Sequence, residues 1–143
     1  MKQRFITSIT AIFTLLFIAC NTEAQTNIQQ TNAIAAKIEV IQFHSEHRCV
    51  TCVKIEKLTR ATLASYFRNV PFKLVNVDDK QNKKSAEQFQ ATGTALFLYN
   101  PATGKKKELT NFAFLTAGNE TKFDTDLKKF IEEFIKNNNG LVN

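Results

Sequence analysis

The pattern of apolar and polar positions predicts an alternation of strands and helices after residue 36. Continuous apolar runs rich in β-branched and aromatic residues are typical of buried strands, whereas apolar positions that recur every three or four residues indicate amphipathic helices. On these criteria strands are predicted at 37–43, 72–77, 94–99 and 105–110, and helices at 49–67, at 83–90 and around 127–135. The predicted order is β-α-β-α-β-β-α, with residues 111–120 unassigned.

Local signals set the ends of these elements. Pro71 stops the first helix, because the residue before a proline disfavours the helical conformation. Asn82 is a candidate cap for the second helix, and Thr121 or Asp124 for the last. Strands joined by a helix pair in parallel through a right-handed crossover, and the Pro- and Gly-containing turn at 100–104 predicts an antiparallel hairpin. The fold class is therefore α/β, with a central mixed sheet flanked by helices.

Composition and the N-terminus fit one exported domain. With 143 residues, 43% of them hydrophobic, the chain can fill a core without help from disulfides. Lys2 and Arg4 precede an apolar stretch at 5–19. That stretch is shorter than the roughly 20 residues of a membrane-spanning helix and is typical of a secretion signal. We expect the mature protein in the periplasm or cell envelope.

The end of this signal leaves two alternatives open. The run 17–20 resembles a lipobox, in which Cys20 becomes the lipid-modified first residue, and the run 22–24 resembles an ordinary cleavage site. The predicted organisation is a signal segment at 1–24, a flexible tether at 25–36, a domain at 37–137 and a tail at 138–143. Contact with a membrane is expected only through a lipid on Cys20.

The charge of the chain does not indicate nucleic-acid binding. The formal net charge is +6, but the basic residues are dispersed, and their densest run, Lys105–Lys107, falls at the predicted hairpin. A nucleic-acid surface would instead place basic residues among aromatic ones or along one helix face. We therefore expect no nucleic-acid partner; a reducing role in an oxidising compartment would instead require a protein redox partner or a membrane electron donor.

The cysteines carry the candidate chemistry. There are three, an odd number for an exported protein, and loss or lipidation of Cys20 leaves the pair Cys49 and Cys52. This pair lies where the first strand leads into the first helix, and the free N–H groups of a helix start stabilise a thiolate. Cys49 is the predicted nucleophile and Cys52 the resolving thiol. Arg48, and His47 when protonated, are predicted to lower the pKa of Cys49. No cofactor besides this redox-active disulfide is predicted.

Two other roles remain open for the same stretch. One is a structural disulfide in an oxidising compartment. The other is a metal or metalloid site, because His44, His47, Cys49 and Cys52 are ligand types that zinc or copper accepts. His44, at the strand end, also fits a loop histidine hydrogen-bonded to the backbone.

Residues 38–135 resemble a thioredoxin-fold domain. The resemblance lies in the run 40–43 leading into Cys49-Val50-Thr51-Cys52, in the run 75–78 and in the run 89–99. It implies a thioredoxin-like fold and redox exchange at the cysteine pair.

This chain departs from the thioredoxin pattern in three places. Arg48 stands where thioredoxins have tryptophan, and the buried acid of the family falls near Gln42 or Phe43, neither of which titrates. The cis-proline of the family falls at Ala95, so the resemblance makes Thr94 and Ala95 the substrate-docking loop. A non-proline cis bond costs about 2.5–4 kcal/mol, so a trans bond is predicted there.

A narrower resemblance concerns Phe43-His44, the Arg48-Cys49-x-x-Cys52 motif and the run 55–57 that follows. This stretch is similar to small exported thioredoxin-like proteins, some of them named as subunits of a nitrophenyl-compound (organoarsenical) reductase system, which implies electron delivery to a partner. The sequence thus predicts an exported thiol:disulfide oxidoreductase. The alternative is a non-enzymatic thioredoxin-like subunit or a metal- or metalloid-binding module that uses His47, Cys49 and Cys52.

Overall fold

The computed structural model describes residues 38–139. The predicted signal segment, the tether and Cys20 lie outside this range. Within the described range, no helix combines the length and the apolar character that crossing a membrane requires.

A mixed sheet of four strands forms the centre of the described domain. Its strands are β1 (Glu39–His44), β2 (Phe72–Asn76), β3 (Ala95–Tyr99) and β4 (Lys106–Glu108). They are arranged in the order β2-β1-β3-β4. β1 pairs in parallel with β2 and antiparallel with β3, and β3 pairs antiparallel with β4. The predicted parallel crossover and the predicted hairpin are both confirmed.

Four helices accompany the sheet: α1 (Val50–Tyr66), α2 (Lys83–Phe89), α3 (Thr110–Thr116) and α4 (Glu120–Asn139). Helix α1 ends within one residue of its predicted limit, and Pro71 follows five residues later. Helix α3 lies in the stretch that was unassigned, and β4 is shorter than predicted. The cause is tertiary: the Leu109 N–H donates to the Leu96 carbonyl at 2.7 Å, and the Leu96 N–H donates to the Thr110 hydroxyl at 3.1 Å. These bonds turn the chain out of the strand and into α3.

Of the predicted helix caps, Asn82 does occupy the N-cap position of α2, whereas Thr121 and Asp124 lie inside α4. The Asn82 side chain makes no capping bond to α2 and instead donates to the Asn76 carbonyl at 3.0 Å, because a short 3₁₀ turn (Lys80–Asn82) already leads into α2. Helix α4 begins at Glu120, before Thr121 and Asp124. The Asn119 side chain accepts a hydrogen bond from the Lys122 N–H at 3.0 Å, which is the geometry of an N-cap.

Two apolar layers cover the two faces of the sheet, because successive side chains of a strand point to opposite sides. Val40 and Leu98 lie in the larger layer with α1 and α4, whose Leu127 is fully buried. Phe43 and Phe97 lie in the smaller layer, against Phe89 of α2. A β-α-β unit, a β-hairpin, a closing helix and this strand order together make the fold thioredoxin-like.

Candidate functional site

The cysteine pair lies at the end of β1, where a short loop (residues 45–49) leads into α1. Three hydrogen bonds fix this loop. The Ser45 hydroxyl donates to the His47 carbonyl at 3.0 Å, and the Glu46 N–H donates to the Asp78 carboxylate at 2.7 Å. The Val77 N–H donates to the His44 carbonyl at 2.8 Å, which extends the β1–β2 pairing into the loop. The start of α1 is therefore held at the end of the sheet where the parallel strands β1 and β2 terminate.

Cys49 and Cys52 form a disulfide, with Cα atoms 5.2 Å apart. Cys49 is the N-cap of α1, and its sulfur accepts a hydrogen bond from the Cys52 N–H at 3.1 Å. Cys49 is exposed, whereas only 5% of Cys52 is exposed. A partner can therefore reach the first sulfur and not the second, and the helix start donates to the reachable one.

Two neutral side chains contact Cys52, one from β1 and one from the loop before β3. The Gln42 amide nitrogen donates to the Cys52 carbonyl at 2.9 Å, and the Thr94 hydroxyl donates to the Cys52 sulfur at 3.0 Å. Gln42 is fully buried, and its Oε1 has no hydrogen-bond partner within residues 38–139. Sequence reasoning noted Gln42 only as a group that does not titrate. Its position, on the β1 face that turns towards α1, gives it a direct contact with the helix start.

The loop before β3 brings Thr94 to the site. No peptide bond in the described range is cis, so the bond before Ala95 is trans as predicted. Ala95 is buried beside Thr94. The structure thus places Thr94 in contact with the resolving cysteine. The role of Thr94 and Ala95 in substrate docking stays a prediction.

Arg48 contacts an acidic partner that sequence reasoning missed. Its guanidinium pairs with the Glu56 carboxylate at 2.7 Å, and Arg60 donates to the same carboxylate at 2.8 Å. Partial burial raises the pKa of Glu56, but the hydrogen bonds and positive charges of Arg60 and Arg48 outweigh burial and hold it below its usual value. The spacing of Glu56 and Arg60 is the i,i+4 spacing that could have indicated their pairing. The positive charge of Arg48 is shared with Glu56, and the influence of Arg48 and of exposed His47 on Cys49 stays a prediction.

The histidines do not assemble with the cysteines into a metal site. His44 is the last residue of β1, and its Nδ1 donates to the Ser45 carbonyl at 2.8 Å, which confirms the predicted hydrogen bond to backbone. Across residues 38–139, no group of three or more His, Cys, Asp or Glu side chains is arranged to hold a metal ion. The geometry gives the metal-binding alternative no support.

Comparison with known proteins adds only distant similarities. No protein-family model matches the sequence, and no curated protein matches it. A solved thioredoxin structure from Fasciola hepatica is 24% identical over 77% of this chain and 92% of that chain, with a TM-score of 0.46. A solved structure of a malarial protein is 16% identical over 56% of this chain and 94% of that chain, with a TM-score of 0.40. Such similarities transfer no activity to this chain, and its fold class follows from the strand order and connections described above.

A closely spaced cysteine pair with one accessible and one buried sulfur, at a helix start of a thioredoxin-like fold, fits a thiol-disulfide oxidoreductase.

Proposed function

We propose that this chain is an exported thiol:disulfide oxidoreductase that cycles Cys49 and Cys52 between dithiol and disulfide and exchanges electrons with a partner protein. The observation that carries the proposal is the asymmetry of the pair. Cys49 is exposed and its sulfur accepts a helix-start N–H, whereas Cys52 is buried and its sulfur accepts the Thr94 hydroxyl. A disulfide that served only as a staple would need neither an accessible sulfur nor a side-chain donor on the other sulfur.

In the reducing direction, the exchange runs in two steps. The Cys49 thiolate attacks one sulfur of the partner disulfide, so that a mixed disulfide forms and the other partner sulfur leaves as a thiolate. Cys52 then loses its proton and attacks the Cys49 sulfur. The Cys49–Cys52 disulfide forms and the second partner thiolate leaves. Two electrons pass from the dithiol to the partner, and the two thiolates take up protons from solvent. The oxidising direction is the reverse.

Each neighbour has a role in this scheme. Arg48 and protonated His47 favour the Cys49 thiolate by their positive charge. Thr94 donates to Cys52 and favours its thiolate during the second step. Thr94 and Ala95 form the loop against which the partner chain docks. The disulfide is the redox group, and the proposal requires no further cofactor.

Export and partnership belong to the same proposal. The charged and apolar pattern of residues 2–19 directs the chain to the periplasm or cell envelope, where Cys20 carries a lipid or is removed. Because that compartment is oxidising, a reducing role needs a protein redox partner or a membrane electron donor. The similarity of the Arg48-Cys49-x-x-Cys52 stretch to reductase-system subunits makes electron delivery the favoured role. Mass spectrometry of the mature N-terminus distinguishes lipidation at Cys20 from cleavage after Ala24.

Redox titration of the Cys49/Cys52 couple in thiol–disulfide buffers tests the proposal, with metal content assayed on the same preparation. We expect a reversible two-electron couple. We also expect Cys52→Ser to accumulate a mixed disulfide with the substrate, and Cys49→Ser to form none. A Cys49–Cys52 disulfide that cannot be reduced in the folded protein, or thiols that bind stoichiometric zinc or copper and resist alkylation, would refute it.

A further inference from the structure

A cavity of about 390 Å³ lies beside the accessible cysteine. Its lining combines apolar and cationic side chains from the start of α1 with one carboxylate: Arg48, Val50, Val53, Lys54, Lys57 and Glu120. Val50, between the two cysteines, is 87% exposed, and Val53 is 48% exposed. We call this surface the Val50–Lys57 face. A chain that presents a disulfide to Cys49 must pass close to it.

The electrostatics of this face favour an anion. Lys54 pairs with Glu120 at 3.5 Å, whereas Lys57 enters no ion pair within residues 38–139. Arg48 pairs with Glu56 through Nη1, but its Nε and Nη2 are buried and find no acceptor in the described part of the chain. A buried donor without an acceptor is costly, so an incoming carboxylate gains these two donors if the Arg48 side chain turns outward to meet it, and the exposed cation that it meets first is Lys57. With the Glu56 carboxylate on Arg48 counted, the face holds three cations and two carboxylates, an excess of one positive charge that corresponds to Lys57.

The shape of this face fits a segment of protein better than a small molecule. From Val50 to Lys57 the helix rises about 10 Å, which matches about three residues of an extended peptide. Within residues 38–139, the large apolar side chains that are exposed are Val50, Val53, Tyr66, Phe114 and Leu115. All of them except Tyr66 lie at the start of α1 or in α3, and α3 packs against α1. Exposed apolar side chains thus occur on two helices that pack together, and exposed apolar side chains are typical of surfaces that bind proteins.

We propose that the Val50–Lys57 face docks an extended acidic segment of the partner protein, with a carboxylate next to the partner's reactive cysteine held by Arg48 and Lys57. This inference rests on the proposed function and names the class of partner. The apolar side chains Val50 and Val53 contact the segment between its charges. The partner is thus recognised by acidic residues that flank its disulfide.

Two cysteine peptides of equal length test this docking. One carries glutamate on both sides of the cysteine and the other carries glutamine, and each is supplied as its mixed disulfide with thionitrobenzoate. The reduced protein attacks the peptide sulfur, and the released thionitrobenzoate is followed by absorbance. The readout is the ratio of the two second-order rate constants, in which changes in the reactivity of Cys49 itself cancel. For the unmodified protein at low salt we expect the glutamate peptide to react about three- to tenfold faster, with the ratio falling towards one as salt is added.

The variants Lys57→Glu and Lys84→Glu supply the matched comparison, because both change the net charge equally. Lys84 is exposed on α2, which packs on the opposite face of the sheet. We expect Lys57→Glu to bring the ratio to one or below and Lys84→Glu to leave it unchanged. Equal rates for the two peptides, or equal effects of the two variants, would overturn the docking proposal. It is also overturned if the peptides react alike while anionic phospholipid vesicles bind the protein in a Lys57-dependent way, since the face would then contact membrane.

A small neutral disulfide, 2-hydroxyethyl disulfide, separates this test from that of the proposed function. If the reduced protein reacts with it but does not distinguish the peptides, only the docking proposal fails. If the reduced protein reacts with no disulfide, the proposed function fails, and the docking proposal with it.

Discussion

Replacing Thr94 with valine removes the one side-chain hydroxyl that contacts the Cys52 sulfur in the described structure and keeps the size and branching of the side chain. In the disulfide, the sulfur is a weak acceptor for this hydroxyl, 3.0 Å away. When Cys52 becomes a thiolate during the second exchange step, the same hydrogen bond becomes charge-assisted and strengthens. The variant should therefore slow release of the partner from the mixed disulfide.

The size of the effect follows from that hydrogen bond. A hydrogen bond to a charged group is worth about 1.5–3 kcal/mol, and because Thr94 is only partly buried we take about 1 kcal/mol, or about fivefold in thiolate population. The less stabilised thiolate is also more nucleophilic, with a Brønsted coefficient of about 0.4–0.5, which offsets nearly half of that loss. We expect the resolving step to slow by about two- to fourfold.

Acid-quenched reaction of the reduced protein with a cysteine-peptide disulfide measures this step, because the mixed disulfide is resolved from the free protein by mass. Thr94→Ser keeps the hydroxyl and should release the peptide nearly as fast as the unmodified protein. Thr125→Val makes the same change at an exposed position of α4 and should have no effect. The reasoning is refuted if Thr94→Val releases the peptide at the unmodified rate, or if Thr94→Ser is as slow as Thr94→Val.

Three further predictions concern stability, each measured by urea unfolding. Gln42→Asp buries a carboxyl, and burial should raise the folded-state pKa of that carboxyl. The free energy of unfolding of this variant should therefore fall as pH rises from about 4 to 7, by about 2–4 kcal/mol more than that of Gln42→Asn. Parallel pH profiles for the two variants would contradict this. Burial raises the pKa of Glu56, and its arginine partners lower it further than burial raises it. The stability that Glu56 contributes is therefore present above its unfolded pKa of about 4.3 and is lost as pH falls below that value. The difference in free energy of unfolding between the unmodified protein and Glu56→Gln should shrink by up to about 1 kcal/mol between pH 6 and 3. A constant difference would contradict this. Leu127→Ala should cost about 2–5 kcal/mol and the exposed Leu115→Ala less than about 0.5 kcal/mol, and equal losses would contradict the assignment of the core.

Local sequence signals predicted the part of the fold that holds the redox pair. The apolar run of β1 and the three- and four-residue spacing of α1 placed the strand–helix junction correctly, and Cys49, predicted as the first residue of the helix, is its N-cap. Such signals are sufficient here because both elements bury one face against the same core. They failed at Leu109 and Thr110, where hydrogen bonds to Leu96 on the neighbouring strand end β4 and begin α3. No periodicity within residues 105–120 encodes that contact.

The immediate surroundings of the site were harder to predict because they come from separate elements. Thr94 reaches Cys52 from the loop before β3, and was expected at the site only because of the thioredoxin resemblance. Glu56 reaches Arg48 across two turns of α1, although Arg48 precedes the helix. Sequence reasoning assigned Arg48 to Cys49 alone. Competition between a nearby carboxylate and a thiolate for one guanidinium depends on side-chain direction, which spacing along the chain does not determine.

The contacts of Cys52 indicate how the two cysteines are made unequal. Gln42 of β1 donates to its carbonyl, Thr94 of the loop before β3 donates to its sulfur, and neither group titrates. The Thr94 hydroxyl can only stabilise charge that develops on the sulfur, and the Gln42 amide contacts the backbone carbonyl instead of the sulfur. The proton must then pass to solvent or to the leaving thiolate. Within the described residues, the distinction between nucleophile and resolving thiol thus rests on burial and hydrogen bonding: the helix start donates to the exposed sulfur, and the loop before β3 donates to the buried one.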